Sequence, residues 1–485
     1  MTQPWLGCKQ YPRIFLKKML LPRRYDPWLL GRRIILLLLI GLTTRVRCEI
    51  STYTVEQGVA LAAEQNPEIL IARKKVEGAR GGLIGARSGY LPSLLSTGSA
   101  DKRQEQTQTR LRNEDYNATL RALENVYTGG AVSSQVAIAK LNIEKQNYEL
   151  EETINRVAMD VRIAFYDLLL NRAKVQVHED SVRALEEEAN TQQQRLRAGM
   201  VGTLNVRRAD VALANERPEL INAKTQLKNS YLRLSELFGM DDRSGTDPPF
   251  EVAGQLQYEK RHPDLNDCLA RAEVSRAEIK SRQKDIEIED RQYVVDRSEL
   301  RPQVQVFSGY EVYSERDPAV GPELNHGYIV GVTGTWHLFD GFATKGKMQA
   351  TRARREAAVQ ALEISRRAIA SEVRSAFLDL EQADKVLESE TKNVQTADES
   401  LQIAKNNLAA GLGTQLDVLQ AAADVTRTRT TRLSAIYLHS VALAHLARAC
   451  GSPLEALDFG SNNKKQTNEK QAVDLANPPP KLSHR

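Results

Sequence analysis

Aromatic side chains are scarce in this chain, at 6% of 485 residues. A mixed globular core of that length leans on them more heavily. The remaining composition is 27% charged and rich in Ala, Leu, Glu, Arg and Gln, which fits long helices or coiled coil instead. Long apolar runs are missing too: Ile34 to Gly41, extended by Leu42, is far too short to cross a bilayer as a helix. Cysteine is rare. Beyond residue 48 only Cys268 and Cys450 remain, so no disulfide framework organises the fold. An oxidising compartment permits a bridge between them, and nothing in the sequence requires one. The 7 histidines are scattered, and His439 and His445 do not share a helix face as a ligand pair would. CxxC, HExxH, GxSxG and P-loop patterns are all absent. Gly81, Gly82 and Gly85 have no strand before them and no Lys-Ser/Thr after them, so close helix packing is expected there rather than a phosphate loop. No catalysis, cofactor or metal is expected.

Basic charge is missing from the body as well. The net charge is +5, but residues 1–48 carry ten Lys or Arg against one acidic residue, Asp26. Removing that +9 leaves about −4 for the rest, so no basic surface argues for nucleic acid. The leader itself reads as an export signal: Arg32 and Arg33 precede the short apolar run, with cleavage expected near Cys48. Met19 is an alternative start, with Arg23 and Arg24 as the charged region in either case. Val46 and Arg47 depart from the small residues that precede a lipidated cysteine.

What is present is helical periodicity broken twice by short strands. Tyr53 to Ala86 shows an apolar face at helical spacing, with Pro67 restarting the helix. Residues 91–100 and 116–127 read as strands around the polar loop 101–115, and the second strand alternates apolar with polar. A helix follows from Ala131 to Ala198, roughly 100 Å long at about 1.5 Å per residue. Its apolar residues Val161, Ala164, Phe165 and Leu168 form one narrow stripe, so it needs partner helices. A bend and a return helix to Phe238, containing Pro218, complete the first half. Residues 240–262 read as a linker rich in Asp, Gly and Pro, and then the whole order recurs. A helix spans 264–300, strands 303–313 and 328–339, a long helix to Ala410, a bend, and a return helix to Cys450. The expected division is a leader 1–48, a first repeat 49–239, the linker, a second repeat 263–451 and a disordered polar tail 452–485.

The two halves align at an offset of 212 residues without a gap over more than a hundred positions. Val161-Arg162-x-Ala164-Phe165-x-Asp167-Leu168 matches Val373-Arg374-x-Ala376-Phe377-x-Asp379-Leu380, and Gly129, Gly199 and Gly239 match Gly341, Gly411 and Gly451. Four strands per chain cannot close a barrel, and an open edge is not tolerated in lipid. Subunits therefore have to pool strands, with helices hanging below.

The duplicated layout, the Tyr90-Leu91-Pro92 helix end, the Leu338-Phe339-Asp340-Gly341 turn and the Gly411-x-x-Thr414-x-x-Asp417-Val418-Leu419 bend resemble the TolC family of outer-membrane efflux and secretion channels. The resemblance covers residues 51–451. It implies a mainly α fold with short β: a trimeric membrane β-barrel, four strands per subunit, continued by a long periplasmic α-helical barrel. It further implies a homotrimer in outer-membrane lipid that works with a periplasmic adaptor (a membrane fusion protein) and an inner-membrane pump of RND or ABC type. The channel is then a passive conduit of a tripartite efflux or type I secretion system. The competing reading is a periplasmic coiled-coil structural or adaptor protein without a pore.

By the same resemblance the bends form the inner entrance: Gly199, Gly202, Thr203 and Asn205 in the first, Gly411, Gly413, Thr414 and Asp417 in the second. Asp417 matches a position where the family places an acidic residue facing the pore, and it also suits a helix cap; both roles can hold. Asn205 is expected to keep the cap without the charge. Relatives carry latch residues where this chain has Leu408, Leu412 and Gly413, so no Tyr–Arg–Asp latch is expected. Arg207 and Arg208 are candidate partners of Asp417 or Asp424.

Overall fold

A computed structural model describes residues 51–102, 114–240, 250–261, 263–314 and 324–451. The expected leader and tail, and most of the two polar strand loops, lie outside the described residues. The described chain is mainly helical with two small sheets.

It opens with strand β1 (Ser51–Tyr53), then α1 (Val55–Gln65) and α2 (Pro67–Arg87). The helix restart expected at Pro67 is there, while the helix expected from Tyr53 begins at Val55, after a short strand. Thr54 and Gln57 form a capping box at the start of α1. Asn66 breaks the helix in extended conformation and caps α2 through its side-chain oxygen, with Pro67 in the first turn. The close packing expected at Gly81, Gly82 and Gly85 does not occur within the chain: a Cβ at any of them would meet nothing within 4 Å.

Strands β2 (Ser93–Lys102) and β3 (Glu114–Tyr127) lead into α3 (Ala131–Arg197), and α4 (Thr203–Phe238) returns along it. Strand β4 (Phe250–Val252) pairs in parallel with β1, a contact with no sequence signal, inside the stretch expected to be a linker. Then come α5 (Leu265–Ser275), α6 (Ala277–Ser298), β5 (Gln303–Ser314), β6 (Leu324–Thr335), α7 (Ala343–Ala409) and α8 (Gln415–Ala449). Helices α3 and α7 are each 67 residues long, or about 100 Å. The last strand ends four residues before the expected Phe339. Its ladder runs out at Thr335, which faces Gln303, and Trp336 Nε1 donates to Leu300 O at 3.1 Å instead.

The larger sheet has the order β2-β3-β5-β6, antiparallel throughout. Register puts even-numbered residues on one face: Leu94, Leu120, Tyr310, Tyr328, Val330 and Val332. All six are exposed, Tyr328 to 87%. The odd face is mainly polar, with Leu95, Leu123, Phe307 and Ile329 among its side chains. Thr97 and Thr119 share a hydrogen bond of 2.6 Å, and Arg121 pairs with Glu311 at 3.3 Å. Edge strands β2 and β6 each pair on one side only.

Two apolar cores hold the helices. In the first half the predicted stripe Val161, Ala164, Phe165 and Leu168 is fully buried against Ala62, Ile69, Phe238 and Phe250. In the second, Val373, Ala376 and Leu380 pack with Cys268, Leu446 and Cys450. Between them sits a charge network. Arg448 bridges Glu152 of α3 at 2.6 Å and Glu372 of α7 at 3.0 Å, and the buried Arg276 reaches Glu372 at 3.1 Å. Buried guanidinium groups need such partners, because an unpaired charge there carries a heavy desolvation cost.

Candidate functional site at the hairpin bends

Both bends use the same backbone device. At the second, Gly411 takes φ +75° and its N–H donates to Leu408 O at 3.2 Å, while Leu412 N–H reaches Asn407 O at 2.8 Å. At the first, Gly199 takes φ +71°, donating to Leu196 O at 2.9 Å, and Met200 N–H reaches Arg195 O at 2.9 Å. This is a Schellman closure whose left-handed residue strains a Cβ, and at the second bend a Cβ on Gly413 would also crowd Asn407 Cβ at 3.1 Å. Next in line stand two exposed apolar tips, Met200 at 76% and Leu412 at 83% exposure. Gly413 N–H also turns in to Asn407 O, at 3.1 Å.

The return helices start differently. Thr414 is the N-cap of α8 and forms a capping box with Asp417. Asp417 Oδ2 accepts from the Thr414 N–H and from its hydroxyl, both at 2.8 Å, while Thr414 Oγ1 accepts from Asp417 N–H at 3.3 Å. The Thr414 N–H, and then its hydroxyl, hold the Asp417 carboxyl below the usual carboxylate range. Asp417 is exposed. At the first bend the N-cap is Gly202, with Thr203 as the first helical residue and no side-chain cap. The expected cap by Asn205 is therefore corrected. A reciprocal box needs a side-chain acceptor at the N-cap position, and the residue matching Thr414 is a glycine.

Charges near the bends stay local. Arg207 lies 3.7 Å from Asp210, and Arg427 pairs with Asp424. Among the described residues neither Arg207 nor Arg208 forms an ion pair with Asp417 or Asp424, which corrects that pairing within one chain. Side chains one turn along a helix are already in reach and win over partners on another hairpin.

Sequence reasoning missed the link between the hairpins. Gln415, in the first turn of α8, donates to Glu188 Oε1 at 3.1 Å, and Gln192 donates to the same oxygen at 2.8 Å. Both glutamines are buried. Farther along, Thr426 donates to Ser181 Oγ at 3.2 Å. The second bend is thereby moored to α3, close to the first. In the sequence Gln415 is an ordinary polar residue of a first helical turn, and its partner lies 227 residues away.

Among the described residues no cluster of His, Cys, Asp or Glu fits a metal ion, and no helix is long and apolar enough to cross a membrane. The absence of such a helix says nothing of a β-barrel.

The chain matches the family model for outer membrane efflux proteins twice, over residues 59–240 and 268–452. It is 25% identical over 225 residues to the alkaline protease secretion protein AprF of Pseudomonas aeruginosa, covering 45% of this chain and 46% of that one. It thus spans a little under half the length of that relative. Identity to protein CyaE of Bordetella pertussis is 24% over 383 residues, covering 78% and 79% of the two chains. In fold the chain is similar to the Campylobacter jejuni CmeC outer membrane channel, with a TM-score of 0.71 at 14% identity over 87% of this chain and 88% of that one. The family is one of outer membrane efflux proteins, and the outer membrane is this chain's location. With its model matched over both halves of the fold, this chain belongs to the outer membrane efflux protein family.

Proposed function

We propose that this protein is one subunit of a homotrimeric channel, the passive outer-membrane conduit of a tripartite efflux or type I secretion system. One observation carries the reading: a four-stranded sheet with an exposed apolar face, a polar face and two half-paired edges continues directly into helices about 100 Å long. An apolar face of this kind belongs against lipid, and edges left open in lipid are costly. Three chains pooling their strands give a twelve-stranded barrel whose polar lining carries Arg121 and Glu311. The halves 49–239 and 263–451 are internal repeats in this scheme, preceded by a leader over 1–48 that is removed on export. A coiled-coil spacer has no use for the sheet.

The bends then form the periplasmic entrance, where an adaptor and an inner-membrane pump dock and supply energy. Three copies of Asp417 make an acidic ring there that favours cations. Capping does not compete with that role, since both accepted bonds use Oδ2 and the side chain is exposed. The experiment is purification from outer membranes, an unboiled gel and planar-bilayer recording. A detergent-resistant trimer with cation-preferring conductance is expected, and a soluble monomer without conductance defeats the reading.

A further inference from the structure

The corner where each return helix meets the opening helix of its half has two different fillings. Gly58 and Cys268 are each the fourth residue of an 11-residue helix, α1 and α5. Phe238 and Cys450 each precede a left-handed closing glycine, Gly239 at φ +70° and Gly451 at φ +66°. In the first half the Phe238 ring fills the corner, and a Cβ on Gly58 would stand 3.0 Å from its Cζ. In the second half both positions carry thiols, each fully buried in one core.

The backbone around those thiols is held on both sides. Ser275 Oγ donates to Cys450 O at 3.2 Å, and Arg276 Nη1 donates to Arg448 O at 3.0 Å. Both thiols belong to the same buried cluster, with Ile369, Val373 and Leu446 around them. Their mutual influence lowers the Cys268 thiol and, with burial, pushes the Cys450 thiol up.

We propose that Cys268 and Cys450 form an intramolecular disulfide in the exported protein, tying α5 to the end of α8. The corner faces them together, the periplasm is oxidising, and among the described residues there is no other cysteine to compete. The reaction is thiol–disulfide exchange during folding, before the corner closes. One thiolate attacks the disulfide of a periplasmic dithiol–disulfide oxidant, giving a mixed disulfide, and the second displaces the oxidant's sulfur. Two thiols lose two protons and two electrons, one S–S bond forms, and the oxidant leaves as its dithiol. The closed loop spans the whole second half of the fold, where a cross-link constrains the unfolded chain most.

Protein taken from the outer-membrane fraction decides this. It is denatured without reductant, blocked with N-ethylmaleimide, digested and mapped by mass spectrometry. The expected result is a linked pair of peptides containing Cys268 and Cys450, two hydrogens lighter than the thiols, with neither sulfur labelled. After prior reduction both sulfurs should be fully labelled. Full labelling of both without reduction overturns the proposal, and so does a bridge between chains, seen as a dimer on a non-reducing gel. In C268S, Cys450 should become fully labelled. Should C268S fail to accumulate, the wild-type map still decides.

Discussion

The two halves of this protein share an order of elements and differ in side-chain chemistry, and the pattern of difference is informative. At the bends and closing corners, where the backbone turns left-handed, both halves have glycine: Gly199 and Gly411, Gly239 and Gly451; only at the turn into the long helix does the second half put Phe342, at φ +68°, where the first has Gly130. Where a side chain solves the problem, the solutions diverge. Asn66 caps the second helix of the first half, while the same junction in the second half is held by the buried Arg276 reaching Glu372 and Arg448 O. Phenylalanine fills one corner and cysteine the other. A left-handed turn has one inexpensive residue, whereas a buried volume or an orphan N–H can be satisfied in several ways.

Replacing the corner glycines should break the symmetry most. A Cβ on Gly239 would stand 2.6 Å from the Gln65 carbonyl oxygen, which is backbone, so Gly239→Ala should cost about 2–3 kcal/mol. On Gly451 the Cβ would stand 2.5 Å from Ser275 Oγ, which can rotate away. Gly451→Ala should therefore cost less, the left-handed strain of about 1–2 kcal/mol together with the Ser275 hydroxyl's bond to Cys450 O. Denaturant unfolding of the detergent-purified protein, followed by helical circular dichroism, compares them; equal losses would mean the carbonyl is not the obstacle.

The bends give a smaller contrast. Thr414→Ala should remove the cap of α8, about 1 kcal/mol, and raise amide exchange over its first turn. Gly202→Thr should do the reverse at α4, because it supplies the missing hydroxyl opposite a first turn that already holds Asn205. Hydrogen exchange at the two tips reads both, and unchanged protection in Gly202→Thr would show that the first bend is limited by something other than its cap.

Acid should separate the bends by the smallest margin. Asp417 titrates below its usual range in the folded protein, held there by Thr414. Its contribution is complete above the unfolded carboxylate value of about 3.9 and is lost as pH falls through the depressed folded value. Protection of Thr414 and Asp417 amides, corrected for intrinsic rates, should fall over that window, while the first bend, with no carboxylate in its cap, keeps its protection. Parallel loss at both tips would assign the change to the hairpins as a whole.

Much of this was legible in the sequence, and for a local reason. The two 67-residue helices, their bends and the buried stripe at Val161 to Leu168 follow from periodicity and from glycine in the turns, which act within a few residues. The strands were found within a few residues as well, though Trp336 to Phe339 alternate without a partner to pair with. The capping box at Asp417 was readable because both members lie three residues apart.

What tertiary structure alone decided is everything that joins distant segments. Phe250 leaves its apparent linker for the first core because β4 finds β1. Gln415 meets Glu188, Arg448 meets Glu152, and Cys268 meets Cys450 across intervals that leave no periodic trace in the chain. Periodicity and turn glycines suffice for the two long hairpins and for where they bend, since hydrogen bonds four residues apart and left-handed glycines are local events. Which hairpin faces which, and which thiols share a corner, depended on packing surfaces that exist only once the helices have formed.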